Sequence, residues 1–142
     1  MIELKHELQS KLYSPVEYKG TVKVSGKLVD VSRRVYQRSD IDFNYYDPIS
    51  GMTNLERMKL GRPPFGMDES TIELHHLIQM ESGTMVELLE STHEQYHKIL
   101  HGLVGRGKSF RNNPLLDKQY KNFRRAYWKW RADFYESLEA KK

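Results

Sequence analysis

Two histidine patterns, set one after the other, restrict what this chain can fold into. His75 and His76 are adjacent inside Thr71-Ile-Glu-Leu-His-His-Leu-Ile78, an apolar, β-leaning stretch, and His93, His97 and His101 follow at steps of four. Steps of four place side chains along one face of a helix of 3.6 residues per turn. Neighbours in a strand point to opposite faces, so His75 and His76 serve one site only at a strand end or a bulge. The local fold is therefore a strand, a break at Gly83, a second strand and a helix. All but one of the chain's six histidines fall within it.

The length of 142 residues suits one domain. With 38% hydrophobic and 30% charged residues the chain can bury a core, which excludes wholesale disorder. No apolar run approaches the roughly 18 residues of a membrane span. The start, Met-Ile-Glu-Leu-Lys-His-Glu-Leu, is charged and has no signal-peptide core. Zero cysteines exclude disulfides, thiolate catalysis and cysteine-built zinc sites, and fit a reducing compartment. The net charge of +4 hides a split. From Met67 to His97 there is no Lys or Arg, against Asp68, Glu69, Glu73, Glu81, Glu87, Glu90 and Glu94. From Gly102 to Arg131 the cations run Arg106, Lys108, Arg111, Lys118, Lys121, Arg124, Arg125, Lys129 and Arg131, against Asp117 alone. An acidic, histidine-rich centre suits a metal, and a basic flank suits a polyanion, although a solvated charged helix has the same composition.

Residues 1–14 read as a short helix or tail. Val16 to Val31 alternates polar and apolar around Gly20 and Gly26 and predicts a hairpin, with a further strand over Arg33 to Gln37. Asp47-Pro-Ile-Ser-Gly51 is a turn, and Thr53 or Asn54 caps a short helix through Leu60. Gly61-Arg-Pro-Pro-Phe-Gly66 is rigid and extended. Gly83 divides strands over 71–79 and 84–89, and Ser91 or Thr92 caps a helix from His93 to about Leu103. After Pro114, Leu116, Tyr120, Phe123, Tyr127, Trp130, Phe134 and Leu138 recur at steps of three and four, an apolar stripe on a long final helix. Trp128 lies off that stripe, among Lys121, Arg124, Arg125 and Arg131. There it either stacks on a base or covers the domain edge.

Neutral imidazole is a ligand for zinc, nickel, cobalt or manganese and also a base near neutrality. Two histidines four apart on a helix grip one ion, a strand supplies a third ligand, and a histidine outside the coordination sphere deprotonates water. His93-Glu-Gln-Tyr-His97 resembles the zincin pattern His-Glu-x-x-His. Other chemistries fit the same residues. They include a non-catalytic nucleic-acid-binding module with structural zinc, a metal-independent ribonuclease with two histidines as acid and base, and an interaction protein with a histidine-rich surface.

Leu74-His75-His76, then Gly83, then Thr92-His93-x3-His97-x3-His101-Gly102 resembles the LHH nucleases of the HNH/endonuclease VII superfamily. Asn54-Leu-Glu-Arg-Met-Lys-Leu-Gly-Arg-Pro-Pro-Phe-Gly66 and Arg124-x2-Tyr-Trp-Lys-x-Arg131 resemble the flanks of that motif, so the likeness covers about residues 50–131. It implies an α+β fold: a ββα-metal, HNH-like core over residues 51–131 with a long C-terminal helix, and an N-terminal extension with a hairpin over 1–50, all in one domain spanning 1–142. It further implies a metal-dependent endonuclease cleaving nucleic acid, DNA ahead of RNA, with a ribonuclease of the same family as the alternative.

The resemblance also implies a setting: the C-terminal toxic module of a bacterial polymorphic toxin, exported within a larger protein, acting in the target-cell cytoplasm and silenced by a cognate acidic immunity protein. Carried over residue by residue, His76 is the general base and His75 a metal ligand. His97 and His101 are the helical ligands of one divalent ion (Zn, Ni, Mn or Mg). His93 stands where the superfamily usually has Asn and orients the base or substrate. In the alternative division His93 and His97 hold the metal and His101 contacts phosphate. Lys121, Arg124, Arg125, Trp128 and Arg131 are the expected nucleic-acid-binding residues. Arg62, just upstream of the motif, is either a stabiliser of transition-state charge or a surface cation in a rigid loop.

Overall fold

A computed structural model describes residues 12–77, 83–91 and 113–141. Its first half is a run of short strands: β1 (Tyr13–Tyr18), β2 (Thr21–Val24), β3 (Lys27–Asp30) and β4 (Arg33–Arg38). Val24 pairs with Lys27, leaving Ser25 and Gly26 as a two-residue loop. Both have positive φ, 52° and 82°, the requirement of a hairpin turn that follows the strand twist. The stretch from 16 to 31 is thus not one hairpin. β2 and β3 form a hairpin, whereas β1 passes it by and pairs antiparallel with β4, Tyr13 opposite Arg38 through Tyr18 opposite Arg33. Gly20 marks the divergence: its carbonyl accepts from Val31 N–H at 3.0 Å and its N–H donates to Ser32 Oγ at 3.1 Å, closing the base of the hairpin. Tyr13, expected in a helix or tail, is already in a strand.

β5 (Tyr46–Asp47) and β6 (Met52–Thr53) flank the expected turn, and α1 (Asn54–Lys59) follows at once. Thr53 is the N-cap in a complete capping box. Glu56 N–H donates to Thr53 Oγ1 at 3.1 Å and Thr53 N–H donates to Glu56 Oε1 at 2.9 Å. Asn54 is fully buried. Its amide donates to the carbonyls of Asp42 (2.8 Å) and Phe65 (2.9 Å) and its oxygen accepts from Phe65 N–H (2.8 Å). One side chain therefore ties the loops on either side of α1 together.

β7 (Ile72–His76) and β8 (Met85–Leu89) pair antiparallel, and β8 also pairs parallel with β4, giving a four-stranded sheet in the order β1-β4-β8-β7. The N-terminal strands and the histidine-bearing hairpin therefore share one sheet. α2 (Pro114–Ala140) lies across one face of it, with Pro114 as its first residue and Asn113 Oδ1 accepting from Leu115 and Leu116 N–H. Lys59 and Glu136, 2.8 Å apart, link α1 to α2. The core between sheet and helix holds Tyr18, Val35, Ile72, Leu74, Met85, Phe123, Tyr127, Trp128 and Ala132. The fold is α+β, a sheet with a long C-terminal helix, as an HNH-like nuclease core requires.

The apolar stripe of α2 turns out differently from the sequence expectation. Tyr120, Phe123 and Tyr127 are buried as predicted, but the buried face continues through Trp128, Arg131 and Ala132, while Phe134 and Leu138 are 40% and 47% exposed. Both continuations satisfy helical spacing. Sequence pattern favours Trp130 over Arg131 because one is apolar and the other charged. A partner for the charge at the centre of the sheet reverses that preference.

Candidate active site

Strand alternation governs the histidine pair. Ile72, Leu74 and His76 are buried on the side facing α2, and Glu73 and His75 are half-buried on the other. The register agrees, with His76 opposite Met85 of the helix-facing core and His75 opposite Val86, which belongs to the cluster on the other side. His76 is the last residue of β7, the strand-end placement that allows adjacent side chains to reach one site. Its imidazole is only 8% exposed and packs at 5.0 Å and 48° against the ring of Tyr120. Tyr120 is fixed in turn, its hydroxyl donating to the Leu74 carbonyl at 2.9 Å. His76 is thus held by an aromatic ring anchored to the strand that carries it.

β8 leads directly into helix, with Glu90 and Ser91 already helical. Glu90 N–H donates to the Thr71 carbonyl at 2.9 Å, and Ser91 Oγ donates to Asp68 at 2.5 Å. The helix therefore starts ahead of the expected cap, and Ser91 uses its hydroxyl to bind the loop before β7. The Ser70 hydroxyl, then the Ser91 hydroxyl, hold the Asp68 carboxyl below the ordinary carboxylate value. His93, His97 and His101 lie outside the described residues. Among the described residues no group of three His, Cys, Asp or Glu side chains comes together to hold a metal. His75 is the one member of the expected ligand set that is described, and a half-buried imidazole at a strand end is a suitable donor.

The expected nucleic-acid-binding residues divide in two. Lys121, Arg124 and Arg125 are exposed on α2. Together with the turn from Leu60 to Pro63 they line a cleft of about 480 Å³, which brings Arg62 into the same group of cations. Gly61 makes this approach possible. Its φ is +82°, and a Cβ there would stand 2.2 Å from Arg125 Cγ. Gly61→Ala is expected to cost about 1–3 kcal/mol through the left-handed backbone alone, read as a lower Tm in a thermal melt. An unchanged Tm would mean that Gly61 does not hold the left-handed backbone of this turn.

Trp128 and Arg131 are corrected by the structure. Trp128 is fully buried and packs edge-on against Tyr127 at 5.2 Å, so it offers no face to a base. Arg131 is 7% exposed and inserts beneath the sheet. There Nε donates to Glu87 Oε2 at 3.0 Å and Nη2 to the Arg38 carbonyl at 2.8 Å. Glu87 is fully buried on β8 and accepts also from Tyr127 Oη at 2.6 Å and Arg38 N–H at 2.7 Å. Burial works against the Arg131 charge, but the Glu87 carboxylate outweighs it and raises the Arg131 pKa. Burial, reinforced by that carboxylate, pushes the Tyr127 phenol well above its ordinary value, so it remains a donor. The sequence held one sign of this network: Glu87 as the sole charge in Met85-Val-Glu-Leu-Leu89.

A histidine hairpin running straight into a helix, on a sheet backed by a long helix, is the framework of an HNH-like nuclease. The family model for LHH, described as a nuclease of the HNH/ENDO VII superfamily with conserved LHH, matches residues 53–133, more than half of the chain. The matched span contains Leu74-His75-His76. The chain belongs to the LHH family of HNH/ENDO VII nucleases. No solved structure matches it. Its substrate class is accordingly nucleic acid, and among the described residues no helix is long and apolar enough to cross a membrane.

Proposed function

We propose that the chain is a metal-dependent endonuclease that hydrolyses phosphodiester bonds, in DNA ahead of RNA, as the toxic domain of an exported antibacterial protein. The observation that carries this reading is the placement of His76: at a strand end, nearly buried, with its ring set against an anchored tyrosine. An imidazole restrained in this way suits a general base, which must meet its water in one geometry. His76 takes the proton of the attacking water, the water oxygen bonds to phosphorus, and the bond from phosphorus to the 3′ oxygen breaks. His75, His97 and His101 would hold a divalent ion, which would supply Lewis acidity to the phosphate when bound. His93 orients the base or the substrate. An acidic immunity protein over the cationic flank would silence the domain in its producer, and the toxin would act in the cytoplasm of the target cell.

EDTA is expected to abolish cleavage, and single additions of Zn, Ni, Mn or Mg to restore it for the ions that the imidazoles accept. Full activity in EDTA would remove the metal from the mechanism. Expression of the wild-type chain alone in a bacterium is expected to arrest growth, and harmless expression would remove the toxin role.

A further inference from the structure

We propose that the cleft between the Leu60–Pro63 turn and α2 is a second phosphate site, which holds the backbone of the nucleic-acid strand a few nucleotides from the bond that is cut. This rests on the nuclease reading. Arg62, Lys121, Arg124 and Arg125 converge on a volume of about 480 Å³, and among the described residues no acidic side chain lines it. Lys121 is shared with Asp117 at 3.0 Å, one turn earlier on α2, which leaves the three arginines as the principal charge. Guanidinium matches the oxygens of a phosphate with paired donors, where an ammonium offers only a point charge.

The cleft is also built. Gly61 lets the turn close onto the stem of Arg125, with the Arg125 carbonyl 3.2 Å from where a Cβ would lie. Two elements far apart in sequence therefore present their cations to one space.

Its position gives it a role. The Arg124 guanidinium lies 5.4 Å from the centre of the Tyr120 ring, and the same ring lies 5.0 Å from the His76 imidazole. Arg124 and His76 are separated by no more than those two distances together. A strand rises about 3.4 Å per nucleotide, so a phosphate seated on Arg124 has its near neighbours within reach of His76. The Tyr120 ring contacts both Arg124 and His76. The cleft thus sets the register of the strand at the base.

The test uses the full chain and a labelled oligonucleotide, with binding followed by fluorescence anisotropy over a salt series in EDTA so that no cleavage intervenes. Arg62→Gln and Arg124→Gln are each expected to weaken binding and to reduce the slope of log affinity against log salt by about 0.7–0.9. Arg124→Lys, which keeps the charge, should restore the slope. Arg34→Gln, in an exposed pair with Glu17 outside the cleft, should leave it unchanged. Wild-type slopes in both cleft variants would overturn the site. If the wild type still cleaves plasmid, the nuclease reading survives that failure. If the variants instead lose affinity for polyglutamate while keeping the oligonucleotide, the cleft belongs to an acidic protein partner and the proposal falls. A wild type that binds through the cleft but cuts no nucleic acid would sink the nuclease reading and leave the phosphate site standing.

Discussion

Replacing His76 with Ala is expected to lower cleavage by about 10²–10⁴-fold, the usual contribution of a positioned general base. Metal affinity should be largely kept, because a base is lost and not a ligand, His75 being the proposed ligand on β7. His101→Ala should lose both activity and metal affinity. Calorimetric titration of each variant with one ion separates the roles, and equal losses of affinity in the two would show the base and the ligand to be misassigned. Because His76 packs against Tyr120, the variant's melting curve is needed beside its rate. A rate within about tenfold of wild type in a fully folded variant would exclude His76 as the base.

Arg131→Met is expected to destabilise the fold by about 3–5 kcal/mol, the cost of leaving a buried charge without its partner. Glu87 would keep Tyr127 and the Arg38 amide but lose Arg131, whose Nε lies 3.0 Å from its Oε2. Removing both charges, as Glu87→Leu with Arg131→Met, should recover much of that loss, since two apolar groups of similar volume do not leave a charge stranded. Chemical denaturation of the two single variants and the double variant measures the coupling. A change within about 0.5 kcal/mol for Arg131→Met, the range of an ordinary surface substitution, would put Arg131 back on the solvent side.

What was legible in the sequence was local. Thr53 caps α1 because its partner Glu56 is three residues away, and both ends of the box can be read in one glance along the chain. Gly83 separates β7 from β8, and the opposite faces of His75 and His76 follow from strand pleating alone. The features that escaped depend on residues distant in sequence. Whether Trp130 or Arg131 enters the core depends on Glu87, 44 positions earlier, and nothing beside Arg131 announces that partner. Trp128, surrounded in sequence by cations, looked like a stacking surface, yet the helix turns it inward against Tyr127. The parallel pairing of β4 with β8 joins segments about 50 residues apart and leaves no periodic trace. Arg62 could be noticed but not placed, because only the close contact between Gly61 and Arg125 carries it to the cations of α2.

The central claim is that this chain cuts phosphodiester bonds with His76 as the base. Purified wild type and His76→Ala should be incubated side by side with supercoiled plasmid and with total RNA, each with a divalent ion and with EDTA, and the ends of any product determined. The expected result is metal-dependent nicking and linearisation by the wild type alone, leaving 5′-phosphate and 3′-hydroxyl ends. Plasmid and RNA both intact with every ion would contradict the account, as would cleavage of equal rate by the His76 variant.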